Sequence, residues 1–258
     1  MKKTRFTLVE LVLVVAVVAV FAIIFSGCGA VRAARERANN KACISNLKQM
    51  GNIATMYTND NRSVWANSPS YSYAWSMVRG KYFPDRMEDR SACCPSIKRD
   101  PDQRGSIRTF DQSNIQMYAA VADNRAGSDD FGVIQLNGIG LSNGADRIGG
   151  KVTAEGVVGP GKRLWICDGL RPDTQRQRTL LTTWRGGANN CARPYAVHDG
   201  RVNIVAVDGH VSSVGADELK NYYVPYFPSA DPREAYGVRV GMYMERVSSR
   251  KPAQLVEL

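Results

Sequence analysis

Hydrophobic residues are distributed unevenly along the chain. Residues 11–25 form an unbroken apolar run behind Arg5-Phe6-Thr7-Leu8-Val9-Glu10. A helix needs about 20 apolar residues to cross a bilayer. Residues 6–28 therefore read as a transmembrane helix behind a short leader, 1–5. From 31 to 57 the pattern changes: Ile44, Leu47, Met50 or Gly51, Ala54 and Tyr57 recur at helical spacing. That marks one buried face, with Arg32, Arg35, Arg37, Lys41 and Lys48 on the other. No proline interrupts 6–60, so a single helix is expected, its amphipathic continuation at 29–60 stopping at Asn59-Asp60-Asn61.

Residues 61–258 read as one globular domain. A short helix is expected at 73–79 and a helical turn at 216–222. Apolar runs of strand length between Gly, Asn and Asp clusters fall at 115–121, 131–136, 163–167, 202–207 and 210–214. One more lies at 238–244, inside a tail (223–258) that is otherwise hard to assign. In 202–214 apolar positions flank Asp208-Gly209, the dipeptide favoured in two-residue hairpin turns because both positions tolerate positive φ. The expected fold is α+β: a long N-terminal spine helix, its first half membrane-spanning and its second half packed on an antiparallel sheet.

Composition changes this picture little. Hydrophobic content of 44% over 258 residues is enough for a membrane segment and one core. The formal charge is +10. Lys2, Lys3 and Arg5 precede the apolar run, the basic residues of the amphipathic helix follow it, and the rest is scattered single arginines. There is no dense basic and aromatic stripe, so no nucleic-acid partner is expected. The six cysteines form no CxxC pair, and neither His198 nor His210 stands at metal-ligand spacing from them. On spacing alone no metal is expected. Outside the cytoplasm, Cys43, Cys93, Cys94, Cys167 and Cys191 are candidates for disulfides, although a Cys93–Cys94 bridge would be strained.

Three readings compete for the N-terminus. A secretory signal peptide accounts for the basic start but not for Glu10. A lipoprotein signal would use Phe25-Ser26-Gly27-Cys28, with Cys28 acylated, and would carry an extracytoplasmic binding or hydrolytic domain. The third accounts for most residues. Lys2-Lys3, then Phe6-Thr7-Leu8-Val9-Glu10, then an apolar helix resemble the prepilin-type N-terminus of type IV pilins and pseudopilins. The resemblance implies cleavage before Phe6 by a prepilin peptidase, N-methylation of Phe6, and pairing of Glu10 with a neighbouring subunit's amine during assembly. A carboxylate placed among apolar helices needs such a partner. Arg5 stands where the family has glycine before the cut.

A second signature lies far away. His198, nine residues, then Asp208-Gly209 resemble the prepilin-type processing-associated domain found behind such N-termini. That pattern also includes an Asn-Leu-Lys-Gln segment, Cys-Pro, and an apolar strand ending in Asp. This chain has Asn46–Gln49, Cys94-Pro95 and Leu164-Trp165-Ile166-Cys167-Asp168. His198 and Asp208 are expected to make structural hydrogen bonds that fix the hairpin, since no nucleophile is tied to them. The segment 156–163 has P-loop spacing, but Arg163 replaces Ser or Thr and Pro160 removes a donor, so it reads as a turn. Gly138-Ile-Gly140 lacks a third fingerprint glycine, and Asp129-Asp130 lacks calcium-ligand spacing.

Together these expectations describe a membrane-anchored, pilin-like structural subunit, a pseudopilin of a type II secretion or type IV pilus-like filament. It would not be an enzyme and would need no cofactor. Its partners would be the membrane, like subunits in a homo- or hetero-oligomer, and the peptidase. It would sit in the inner membrane as a single-pass protein, N-terminus cytoplasmic, with the domain periplasmic or in an extracellular filament.

Overall fold

The computed structural model describes residues 7–61, 64–66, 72–85, 90–97, 115–121, 133–135, 159–182, 191–226, 236–248 and 251–258. In order these form α1 (Leu8–Asp60), β1 (Val64–Ala66), α2 (Tyr73–Arg79), β2 (Ala119–Val121), β3 (Val133–Gln135), β4 (Leu164–Cys167) and β5 (Gly169–Leu170). There follow β6 (Leu180–Leu181), β7 (Arg193–Ala196), β8 (Val202–Ala206), β9 (Val211–Val214), α3 (Ala216–Leu219), β10 (Tyr223–Tyr226), β11 (Tyr236–Arg239), β12 (Met242–Glu245) and β13 (Gln254–Glu257). The chain divides into two units, Met1–Asn39 and Asn40–Leu258.

In the first unit, α1 starts with a capping box. Thr7 N–H and Oγ1–H each donate to Glu10 Oε2 at 2.8 Å, and Glu10 N–H donates to Thr7 Oγ1 at 3.3 Å. Thr-x-x-Glu satisfies two of the donors that a helix start leaves without partners. Beyond it Leu8, Val9, Leu11, Val12, Leu13, Val14, Val15, Val17 and Val18 are all exposed, 47–79%. The described side chains of this run stop at Ala19 and include Glu10. Among the described residues no helix is long and apolar enough to cross a membrane. The membrane-spanning first half, and with it the single-pass inner-membrane placement, is corrected on that finding.

In the second unit, α1 buries Cys43, Leu47, Met50, Gly51, Ala54 and Thr58. These follow one another at three- and four-residue steps, apart from the adjacent Met50 and Gly51, and so share one helix face. The seam is turned slightly from the expected one: Cys43 and Thr58 are its buried ends, while Ile44 and Tyr57 are half-buried. It lies on β8 and the turn after it. A Cβ on Gly51 would stand 2.9 Å from Val205 Cγ1, so glycine is what permits the close approach. Lys48 Nζ donates to the Gly209 carbonyl at 3.0 Å.

Two sheets carry the domain, in the orders β6-β2-β4-β8-β9 and β13-β12-β7-β5. Both are mixed. β2 pairs parallel with β6, and β12 pairs parallel with β7. The expected antiparallel sheet is corrected here. Alternation of apolar residues reports a strand but not the direction of its neighbour, and parallel partners are joined by long crossovers. The tail supplies β12 and β13, and the strand expected at 238–244 is broken between Arg239 and Met242. The expected turn before β4 is present as a 3-10 turn at Pro160–Lys162. An aromatic group fills the core, with Trp65 stacked on Tyr73 at 5.2 Å and edge-on to Trp165 at 5.1 Å.

The hairpin β8–β9 is present, but its turn differs from expectation. Ala206 N–H donates to the His210 carbonyl and Gly209 N–H to the Ala206 carbonyl. The loop is therefore Val207-Asp208-Gly209, with positive φ at Gly209 (82°) and not at Asp208. The two-residue turn lies at the other Asp-Gly. Asp199 and Gly200 have φ of 51° and 75°, between His198 and Arg201, which exchange backbone hydrogen bonds. Both Asp-Gly dipeptides carry the turn signal, and only cross-strand pairing decides which one closes on two residues.

Gly51→Val is expected to cost about 1–3 kcal/mol, the range for overpacking a well-filled contact. The check is a denaturant midpoint lowered at unchanged slope. Adding Val205→Ala, which removes the obstructing methyls, should return part of the loss.

Candidate functional site

The chain passes between these two sheets several times, and two of the passages frame one site. Asp168 links β4 to β5, and Val197-His198 with the Asp199-Gly200 turn links β7 to β8. At these crossings, under the head of the α1 seam, four side chains meet: Cys43, Cys94, Asp168 and His198. Their exposure is 0%, 1%, 0% and 4%. Cys94 reaches the site from the segment after a 3-10 turn at Arg90–Ala92.

The contacts are short. Cys43 Sγ lies 3.1 Å from Asp168 Oδ1 and 3.4 Å from Oδ2. His198 Nε2 lies 3.4 Å from Cys94 Sγ and 3.5 Å from Asp168 Oδ2. The Asn203 backbone N–H donates to Asp168 Oδ2 at 3.3 Å, and the Tyr118 hydroxyl donates toward Cys43 Sγ at 3.5 Å. Backbone pairing fixes Asp168 from both sides: its N–H donates to the Asn203 carbonyl at 3.0 Å, and its carbonyl accepts from Tyr195 N–H at 2.7 Å. Asn203 Nδ2 donates to Asn40 Oδ1 at 2.8 Å, tying β8 to α1 beside the site. Cys94 N–H donates to Gln177 Oε1 at 3.1 Å.

Burial dominates the acid–base behaviour. It opposes ionisation of Cys43, but hydrogen bonds from Cys94, His198, Tyr118 and Asn203 outweigh it and bring this thiol down to about 4. Burial, then the Cys43 charge, pushes the Asp168 carboxyl well up. Burial and its bond to Cys43 do the same to the Cys94 thiol. Cys43 and Asp168 shift in opposite directions across a 3.1 Å contact, so their titrations belong to the pair rather than to either residue. Drawn as thiol donating to carboxylate or as thiolate accepting from carboxylic acid, the pair is a monoanion facing imidazole. One negative charge is held in a dry site by donors arriving from four segments.

The structure separates the residues of the His…Asp-Gly signature. His198 belongs to the buried cluster. Asp208 sits at the far end of β8, half in solvent, where its Oδ1 pairs with His210 Nδ1 at 2.6 Å and accepts from His210 N–H. Gly209 receives Lys48 through its carbonyl. Cys43, Cys93, Cys94, Cys167 and Cys191 are all buried free thiols, so none of the candidate disulfides is formed. Cys93 Sγ donates to the Gln116 carbonyl at 2.8 Å. Glu10 is in the capping box at the start of α1. Arg5, Phe6, Asp129-Asp130, Gly138-Ile-Gly140 and the first residues of 156–163 lie outside the described residues, as does the Cys28 side chain.

Reading by spacing passed over the four-residue cluster, because its members stand far apart and only the fold joins them. The signal that was available is indirect. Cys94-Pro95, the strand ending at Asp168, and His198 are three of the segments that carry the resemblance to the processing-associated domain, and Cys43 stands just before a fourth. Comparison of the chain with family models, with curated proteins and with solved structures gave no match.

With Cys28→Ser, a colorimetric thiol reagent should find no fast-reacting group in the native protein and five after unfolding in guanidinium. A rapid native reaction would reveal a route from solvent to one of the buried thiols.

Proposed function

We propose that this chain is a pilin-like structural subunit, a pseudopilin, that assembles with like subunits through α1. The observation that carries the reading is the exposed start of α1. Apolar side chains at 8, 9, 11–15, 17 and 18 face all sides of the helix in the isolated chain. A helix that is apolar all round is stable only when it is surrounded, and equivalent helices packed side by side supply such surroundings. The filament, of a type II secretion or type IV pilus-like system, would form by mutual burial of these segments. The reading gives the chain no catalytic residue.

Glu10 fits the reading in a specific way. Both Thr7 bonds go to Oε2, and Oε1 accepts none among the described residues. When the helix is surrounded, the remaining charge needs a partner. A Phe6 amine released by a prepilin peptidase on a neighbouring subunit is that partner. Cleavage before Phe6 leaves the Thr7 amide intact, so the capping box survives processing.

Two measurements test this. Mass spectrometry of the mature chain should give N-methyl-Phe6. A diacylglyceryl Cys28 would replace the reading with that of a lipoprotein, and an intact Met1 would remove the peptidase and the amine from it. Glu10→Gln keeps the capping box, since Gln serves at that position, and removes the charge. It should abolish sedimentable or cross-linkable filaments while helicity and Tm stay unchanged. Wild-type assembly by Glu10→Gln would sink the role given to the charge.

A further inference from the structure

The buried cluster has the geometry of a ligand set rather than of a relay. A catalytic triad uses opposite sides of its imidazole, the nucleophile on one nitrogen and the orienting acid on the other. Here Cys94 Sγ and Asp168 Oδ2 approach the same nitrogen, Nε2, at 3.4 and 3.5 Å. The far nitrogen, Nδ1, has no partner among the described residues. With the four residues at most 4% exposed, no substrate reaches a thiol. The four donor atoms instead surround a common point, all within 4.8 Å of one another.

That spacing suits a small tetrahedral cation. Zinc bonds of about 2.3 Å to sulfur and about 2.0–2.1 Å to nitrogen or oxygen place ligand atoms about 3.3–3.8 Å apart. The closest separations here, 3.1–3.5 Å, bracket the lower end, and the others reach at most 4.8 Å, so an ion would spread the close pairs slightly and draw the wider ones in. The donor types agree. Two thiolates with an imidazole select zinc over hard cations such as magnesium or calcium. The energetics agree as well. Two thiolates and a carboxylate ionised together this deep would be costly, and a divalent cation offsets most of that charge directly.

We infer that Cys43, Cys94, Asp168 and His198 bind one zinc ion in a closed structural site. Four protein ligands leave no open position, so the ion organises the fold and performs no catalysis. On binding, the thiols lose their protons to solvent and imidazole Nε2 donates its lone pair. The Asn203 amide and Tyr118 hydroxyl hold Asp168 and Cys43 from behind, as partners of ligands usually do. His198 departs from that habit, since its Nδ1 has no acceptor among the described residues. The ion would join α1, the segment after Ala92, and the β4–β5 and β7–β8 crossings between the sheets. The inference stands apart from filament assembly, since every ligand lies in the second unit.

The test uses the untagged full-length chain purified under reducing conditions. Elemental analysis should give about one zinc per chain. Replacement by Co2+ should produce a thiolate-to-cobalt charge-transfer band and the intense visible bands of tetrahedral cobalt. Removing zinc from the wild type with a chelator should lower Tm, and adding zinc back should restore it. Cys94→Ser and His198→Ala should lose stoichiometric binding, while Cys191→Ser, a buried thiol outside the cluster, should keep it. Because the ligand variants can fail to fold, the wild-type cobalt spectrum and the chelator-dependent Tm stand on their own. The inference is overturned by wild type that takes up no stoichiometric zinc on reconstitution, by a Cys43–Cys94 disulfide in the peptide map, by octahedral cobalt, by an unchanged Tm after zinc removal, or by wild-type stoichiometry in folded Cys94→Ser.

Discussion

The domain depends on one contact, the seam of α1 against β8 and its turn. Leu47, Met50 and Ala54 bury completely along it, and each large apolar side chain so buried is worth about 1.5–3 kcal/mol relative to exposure. Gly51 sets the distance of approach, because Val205 occupies the space a side chain would need. That distance has consequences for two polar contacts. Beside Leu47, Lys48 reaches the Gly209 carbonyl and holds the hairpin turn. At the head of the seam, Cys43 is carried down to the carboxyl of Asp168. A helix lying further from the sheet would keep most of its apolar burial and lose both polar contacts.

Those polar contacts explain why the centre of the domain is not simply apolar. Asp168, Asn203 and His198 are all within 4% of full burial. An isolated buried carboxyl or amide costs several kcal/mol in an apolar medium, so each has to be answered by another element. Asp168 is answered by Asn203 of β8 and Cys43 of α1, and Asn203 by Asn40 of α1. These bonds are specific in register as well as in kind. Slipping β8 by one residue would turn the Asn203 side chain away from Asn40 and leave its buried amide without that acceptor. The polar centre thus selects one register for strands that apolar packing alone would tolerate in several.

The sequence was most legible where local chemistry decides the outcome. The α2 bounds, the end of α1 at Asp60, β4 and the β8–β9 hairpin follow from periodicity and turn residues that act over a few positions. It was less legible where partners come from afar. β6 is two residues long between Arg178-Thr179 and Thr182, β7 begins with Arg193-Pro194, and only neighbouring strands make them strands. Parallel pairing of β2 with β6 leaves no local trace. Two Asp-Gly dipeptides sit at either end of β8, and the choice between them is made by Arg201 pairing back to His198. The Thr7-x-x-Glu10 box was readable but overshadowed by the apolar run behind it. The four-residue cluster draws one side chain from each of four distant segments, so no spacing rule could find it.

Glu10 and Asp168 pose the same physical question in two places: where a carboxylate in apolar company finds its counter-charge. At Asp168 the answer lies within the domain, where Cys43, Cys94 and His198 converge on it and would, on the proposed reading, hold a cation. At Glu10 the capping box satisfies one oxygen through Thr7, which is enough for an exposed helix start. It is not enough once the surrounding valines and leucines are covered, since a hydrogen-bonded carboxylate is still an anion. In the proposed assembly, the cap and a subunit partner would be successive requirements on one side chain. The first shapes the helix in the isolated chain, and the second would make its burial conditional on a cation at the right depth. A charge that must be matched before an apolar helix can be covered selects for correctly staggered neighbours over merely greasy ones.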